Sequence, residues 1–264
     1  MTMDKKWPVL LFKKSLLKQR KFREIEALLG RTENLCCLDI GSDNGVISYL
    51  LRNRGGSWKS ADLGEKAVDA IRSVVKDNVF KIDGVKTPFQ DDEFDLIVIV
   101  DFLEHIRTDR EFVEELFRIL KPEGELIINV PHMKNSLLRK FRLAIGQTDE
   151  KHGHIKPGYM LNGLTELTKG KFSIQSSMTY SKFFSELIDT VINIGLGFLK
   201  KGVASTSKGQ IVTGKDIEQY RKSFWLYSLI YPVAWMFSKL DHILFFVSGY
   251  MLIVKFKTCK ESRP

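Results

Sequence analysis

The stretch Leu35-Cys36-Cys37-Leu38-Asp39-Ile40-Gly41-Ser42-Asp43-Asn44-Gly45 decides how the chain is read. A short apolar run ends in Asp39, and a turn with two glycines follows. Val46-Ile47-Ser48-Tyr49-Leu50-Leu51 then begins a helical pattern. Strand, glycine turn and helix in that order place a nucleotide-type ligand at the carboxyl end of a parallel strand. Glycine suits the turn because the backbone bends sharply there and must let a ligand approach without a side chain in the way.

Working outward, apolar strands alternate with helical patterns. Trp58–Asp62 reads as a second strand, ending in an acid about 20 residues beyond the first turn, where a carboxylate suits the two hydroxyls of a ribose. Helix Glu65–Val75 returns the chain, and a third strand, Val79–Asp83, ends in another acid before Gly84. The run Leu96-Ile97-Val98-Ile99-Val100 is continuous rather than alternating, as expected of a central parallel strand buried on both faces. Asp101-Phe102-Leu103-Glu104-His105-Ile106 follows at its carboxyl end. Helix Arg110–Leu120 stops at Lys121-Pro122-Glu123-Gly124, and Leu126–Val130 is a fifth strand ending at Pro131-His132. This alternation predicts an α/β fold, a Rossmann-like doubly wound parallel sheet with right-handed crossovers.

Composition bounds the reading. The chain has 264 residues, of which 44% are hydrophobic, and a net charge of +9. That supports a packed core and an anionic partner: nucleic acid, a membrane surface or a phosphorylated substrate. Three cysteines, two of them adjacent in an apolar strand, suggest buried thiols in a reducing compartment rather than a disulfide framework. No Cys/His spacing resembles a zinc site, so no metal is expected. The short apolar run Trp7–Phe12, followed by basic residues, does not read as a secretion signal, and a cytoplasmic protein is expected.

Four elements together resemble the class I S-adenosylmethionine-dependent methyltransferases, in the type 11 small-molecule branch. They are Leu38-Asp39-Ile40-Gly41 with Gly45; Asp83 followed by Pro88-Phe89 and Phe94-Asp95; Leu103-Glu104-His105-Ile106; and Leu120-Lys121-Pro122 with Gly124 before a strand. Their order and spacing cover residues 35–135. The resemblance implies a seven-stranded sheet and S-adenosyl-L-methionine as cofactor. The turn Asp39, Gly41, Ser42, Asp43 and Gly45 would hold its methionine portion. Asp62, with Leu63, would take the ribose; Asp83, with Gly84, the adenine; and Asp101 would border the sulfonium and the acceptor. The family usually has a third glycine where Asp43 stands, and Asp tolerates the positive φ required there better than most residues. Three alternatives remain. A nicotinamide-dependent oxidoreductase is disfavoured because Gly-x-Gly-x-x-Gly is absent. A degenerate, non-catalytic binding module would keep the fold. Nucleic-acid methylation lacks a recognition helix or an aromatic-and-basic sheet motif.

Methyl transfer to a hydroxyl needs an oriented acceptor and a group to take its proton. A neutral imidazole suits that task near neutral pH. His132, His152 and His154 cluster in the sequence, and the order of candidates for the base is His154, His132, then His105. Glu104 is expected to cap or orient, and Tyr159 to wall the acceptor pocket.

The two ends of the chain are unusual. Residues 1–30 are rich in Lys and Arg, with apolar residues at near-helical spacing. They read as one or two basic amphipathic helices, packed on the domain or lying on anionic lipid. The methyltransferase domain is expected at 31–180 and 248–264, with strands Phe172–Met178 and Tyr250–Phe256 pairing at the end. Between them roughly 70 residues form an insertion, far too long for a hairpin. Its apolar helix (Phe183 to Leu196), its Gly/Ser/Thr-rich stretch Lys200–Lys215 and its uncharged run Ser223–Ser238 suit either a lid over the site or a membrane-surface element on the inner face. The longest uncharged run falls short of the about 20 residues a spanning helix needs. Oxygen methylation of a glycan, lipid-linked or other small-molecule acceptor is the activity expected.

Overall fold

The computed structural model of the chain describes residues 3–134, 136–144, 153–199 and 228–261. Seven strands form one sheet in the order β3-β2-β1-β4-β5-β7-β6. They are β1 (Cys36–Ile40), β2 (Ser57–Asp62), β3 (Val79–Lys81), β4 (Phe94–Val100), β5 (Leu120–Pro131), β6 (Phe172–Tyr180) and β7 (Met251–Thr258). β1 to β5 pair in parallel, and β7 runs antiparallel to both β5 and β6. The strand order reverses between β1 and β4. An open sheet leaves a crevice beyond the carboxyl ends of its strands at such a point.

β4 shows why the sheet sits at the centre. Ile97 and Ile99 face one apolar cluster, with Leu38, Ile40, Phe112 and Leu116. Leu96, Val98 and Val100 face the other, with Cys37, Leu51, Trp58 and Ile253. The two-residue period of a strand sends alternate side chains to opposite faces, so a run apolar throughout is buried on both. Helices α4 (Glu65–Val75) and α5 (Asp109–Ile119) bury Val68, Ile71 and Val74, and Phe112, Val113, Leu116 and Ile119. Those spacings lay one stripe of each helix on the sheet. Asp109 and Glu111 in the first turn of α5 and Arg118 in its last complement the helix dipole.

Three sequence expectations shift. Cys37 is buried, its thiol pushed up to about 12 by burial, but Cys36 lies exposed at the strand's first residue. β3 ends at Lys81, so Asp83 lies in the loop beyond it. Lys121–Gly124 does stop α5, yet it belongs to β5: Phe94 pairs with Leu120 and Leu96 with Glu125, so these residues bulge out of the ladder. The basic amino-terminal segment is two helices, α1 (Met3–Phe12) and α2 (Leu16–Leu28), with Ile25 of α2 in the second core cluster.

Helices α3 (Val46–Arg52), α6 (Leu137–Ala144) and α7 (Leu161–Thr168) complete the layers. The connection from β6 to β7 carries α8 (Phe183–Leu199), a helix over 228–238, here α9, and a 3-10 turn, Lys239–His242. Among the described residues, no helix is long and apolar enough to cross a membrane. His152, the stretch Lys200–Lys215, Trp225 and Tyr227 lie outside the described residues.

Candidate active site at the carboxyl ends of β1, β2 and β4

The turn after β1 is built from the inside. Gly41 has φ +87° and lies so close to β4 that a Cβ would sit 2.3 Å from the Val100 carbonyl oxygen. Gly45, at φ +77°, backs onto Ile71 of α4 and opens α3. Asp43 adopts φ 54°, so the aspartate takes the left-handed conformation that glycine usually supplies.

Asp39 points inward, beneath the turn rather than into the crevice. Its side chain is fully buried, and its two oxygens accept hydrogen bonds from Ser48 Oγ (2.5 Å) and Ser60 Oγ (2.7 Å). Burial raises its carboxyl to about 6 against the pull of those two bonds. It is a strut tying β1, β2 and α3 beneath the turn. Ser42 is likewise internal, its Oγ accepting from Ser48 N–H (3.0 Å) at the start of α3.

Asp62, at the end of β2, accepts from Leu63 N–H (2.8 Å) and Asp43 N–H (3.2 Å). Desolvation raises its pKa, with the two backbone donors acting in the opposite direction. Two donors occupy about half of a carboxylate's lone-pair directions, which leaves acceptors for a diol. Asp83 Oδ1 accepts from Lys86 N–H and Val85 N–H, and these bonds hold its exposed carboxylate below the usual range. Gly84 packs under Ile106 and Leu63, and its carbonyl accepts from Thr108 Oγ1. Carboxylate acceptors for a nucleoside's diol and amino group therefore stand at the end of β2 and just beyond β3, so these residues fit the expected cofactor.

Beyond β4 the polypeptide turns through Asp101 (φ 47°) into a 3-10 turn, Leu103–His105. Asp101 accepts from Asn129 Nδ2 (2.9 Å) and pairs with Lys21 of α2. Tyr180 donates to Asn129 Oδ1, completing a buried chain from the end of β6. Glu104 is fully buried, and neither carboxylate oxygen has a hydrogen-bond partner among the described residues. Desolvation, then the nearby Asp101 charge, raises its pKa well above the ordinary value. The Glu104 carbonyl accepts from Ile155 N–H (2.8 Å) and Lys156 N–H (3.1 Å), pinning the segment after Gly153 against the turn.

That pinning brings two of the predicted histidines together. The rings of His105 and His154 meet edge to face at 4.9 Å between centroids. Donor atoms of Glu104, His105 and His154 all lie within 4.8 Å of one another, a cluster that no Cys/His spacing in the sequence announces. His105 Nδ1 lies 2.9 Å from the Gly153 carbonyl oxygen. A carbonyl only accepts, so Nδ1 carries the proton and a neutral ring presents Nε2 as its basic nitrogen. His132 is outside this cluster: its Nδ1 bonds the Gly249 carbonyl (2.9 Å) and its N–H the Tyr250 carbonyl, a lock between β5 and β7. Tyr159 is also structural, donating to the Leu103 carbonyl (3.1 Å) and Asp109 Oδ2 (2.8 Å), with burial raising its pKa. Lys21 was legible only as one basic residue among many, because 80 residues separate it from Asp101.

Residues 38–128 match a family model described as a methyltransferase domain. This part of the chain is a class I, type 11 methyltransferase domain. Curated relatives include ubiquinone biosynthesis O-methyltransferases from Rickettsia bellii and Actinobacillus pleuropneumoniae. The first is 25% identical over 96 residues, covering 35% of this chain and 40% of the relative. The second is 24% identical over 146 residues, covering 47% and 61%. The matches thus span roughly half the length of those relatives. Among solved structures, a SAM-dependent methyltransferase from Thermotoga maritima superposes with a TM-score of 0.55 at 14% identity, covering 96% of each chain. That likeness is one of fold. The matched residues end within β5; Lys21, His154 and the β6–β7 insertion lie outside them.

Proposed function

We propose that the chain transfers a methyl group from S-adenosyl-L-methionine to a hydroxyl oxygen of a small-molecule, glycan or lipid-linked acceptor. The observation that carries this reading is the convergence of Asp62, Asp101 and the His105–His154 pair at the switch point of the sheet. Asp62 would hold the ribose diol, Asp83 the adenine edge, and the turn Gly41–Gly45 the methionine portion. The bound cofactor supplies an electrophilic methyl carbon on a sulfonium. The chain's own contribution is orientation and proton handling. His105 Nε2 takes the acceptor's proton, and the Gly153 carbonyl holds that ring in its tautomer. His154, edge-on to the ring, positions it and shields it from solvent. Lys21, drawn to Asp101, places a positive charge beside the acceptor's path and favours a hydroxyl that ionises readily. The O-methyltransferase names of the relatives favour this reading over the alternatives.

Calorimetric titration with S-adenosyl-L-methionine tests it. Saturable binding is expected, weakened about ten- to a hundredfold in Asp62→Ala through loss of hydrogen bonds to a charged acceptor. No heat of binding at millimolar cofactor would overturn the proposal, and unchanged affinity in the variant would move the ribose elsewhere.

A further inference from the structure

We infer that α9 and the loop behind it form a surface that inserts into the interfacial region of an anionic lipid bilayer. Helix α9 is amphipathic in the opposite sense from a helix of a soluble domain. Tyr231, Ala234 and Ser238 face the protein, with Ala234 buried. Leu229, Ile230, Val233, Met236 and Phe237 recur at i, i+1, i+4, i+7 and i+8, which is one helical stripe, and all five are exposed, Leu229 at 61% and Met236 at 60%. The 3-10 turn that follows leads to Phe245 and Phe246, 84% and 73% exposed, whose rings touch each other. Contiguous exposed apolar surface of this kind marks an interaction site.

Charge identifies the occupant. Lys14 Nζ lies 5.3 Å from the centre of the Tyr231 ring, and Tyr231 donates to Gln19 Oε1, so α2 and the basic turn before it border α9 directly. Lys13 and Lys239 are exposed, and Lys239 lies over the Trp235 ring (4.8 Å). Cations rimming an apolar face with interfacial aromatics match acyl chains below anionic headgroups. The loop is anchored, not loose: Asp241 accepts from Lys182 N–H and Phe184 N–H at 2.8 Å each, and Lys182 Nζ donates to the Leu244 carbonyl. Because α2 also carries Lys21 to Asp101, one helix joins the lipid face to the active-site cleft. An acceptor carried in a lipid would enter beside it.

The surface is independent of the methyl-transfer reading, and its test does not use activity. Full-length protein is sedimented with vesicles of phosphatidylcholine alone and with added phosphatidylglycerol. Binding is expected only with the anionic lipid, falling as salt is raised. The double variant Phe245→Ser, Phe246→Ser should lower the partition at least about tenfold through the lost burial of two aromatic rings. Both rings are exposed, so its thermal melting should match the parent's. Lys13→Glu should weaken binding at low salt and little at high salt. No sedimentation with anionic vesicles at low salt, or sedimentation unchanged in the double variant, would overturn the inference. So would a dimer that dissociates in the double variant without any lipid binding, since that assigns the face to a second copy.

Discussion

The turn after β1 and the turn after β4 stand side by side at the switch point of the sheet, and each carries a fully buried carboxylate. Asp39 has a hydroxyl on each oxygen; Glu104 has no hydrogen-bond partner on either among the described residues. Burying a carboxylate is costly unless hydrogen bonds replace its water, so the two acids have different consequences. Asp39 stabilises the scaffold under the cofactor turn. Glu104, crowded by the Asp101 charge, favours its protonated form and lies against the His105–His154 pair. The satisfied acid belongs to the frame, and the unsatisfied one faces the chemistry.

The sharpest way to break this pairing is to separate the two turns. Gly41→Ala forces a Cβ into the Val100 carbonyl at a residue with φ +87°, and stability should fall by more than about 3 kcal/mol. Chemical denaturation checks it; a smaller loss would mean that the β1 and β4 ends are not locked together.

The next effect lies in pH. The folded protein holds the Asp39 proton to about 6, against 3.8 for an ordinary aspartate. The folded state therefore binds more protons between those values. Stability from this group is fully present at the acid end and is lost as pH rises through about 6, a change on the order of 3 kcal/mol. In Asp39→Asn that descent should vanish from melting curves taken across the same range. A variant that keeps the parent's slope would place the titration elsewhere.

Glu104→Gln gives the smallest change in stability. Burial favours the neutral form of this carboxyl, a neutral amide has nearly the same shape, and melting should shift by less than about 1 kcal/mol. Its pH dependence of methyl transfer should nonetheless differ from the parent's, since a proton has been removed from beside His105. An unchanged pH profile would reduce Glu104 to a second strut.

The scaffold was legible because its rules are local. A five-residue apolar run, a glycine turn and an amphipathic helix each follow from backbone geometry and periodicity, and α4 occupies Glu65–Val75 as its pattern predicts. Asp43 was legible for the same reason: its position in the turn requires a positive φ, and its side chain tolerates one. The site was only partly legible. Asp62 and Asp83 follow from their places near strand ends. The contacts of the histidines were not legible: His132 locks β7, whereas His105 bonds a carbonyl 48 residues away.

What the sequence by itself determined is the alternation of strands and helices, and with it the crevice between β1 and β4. These depend on residues a few positions apart. Only the tertiary structure decided that both oxygens of Asp39 meet hydroxyls, that Lys21 reaches Asp101, that His154 meets His105, and that the apolar stripe of α9 turns outward. Each of those is a contact, or a choice of face, between segments far apart in the chain. Hydrophobic periodicity can show that a helix has two faces, but only packing shows which one is covered.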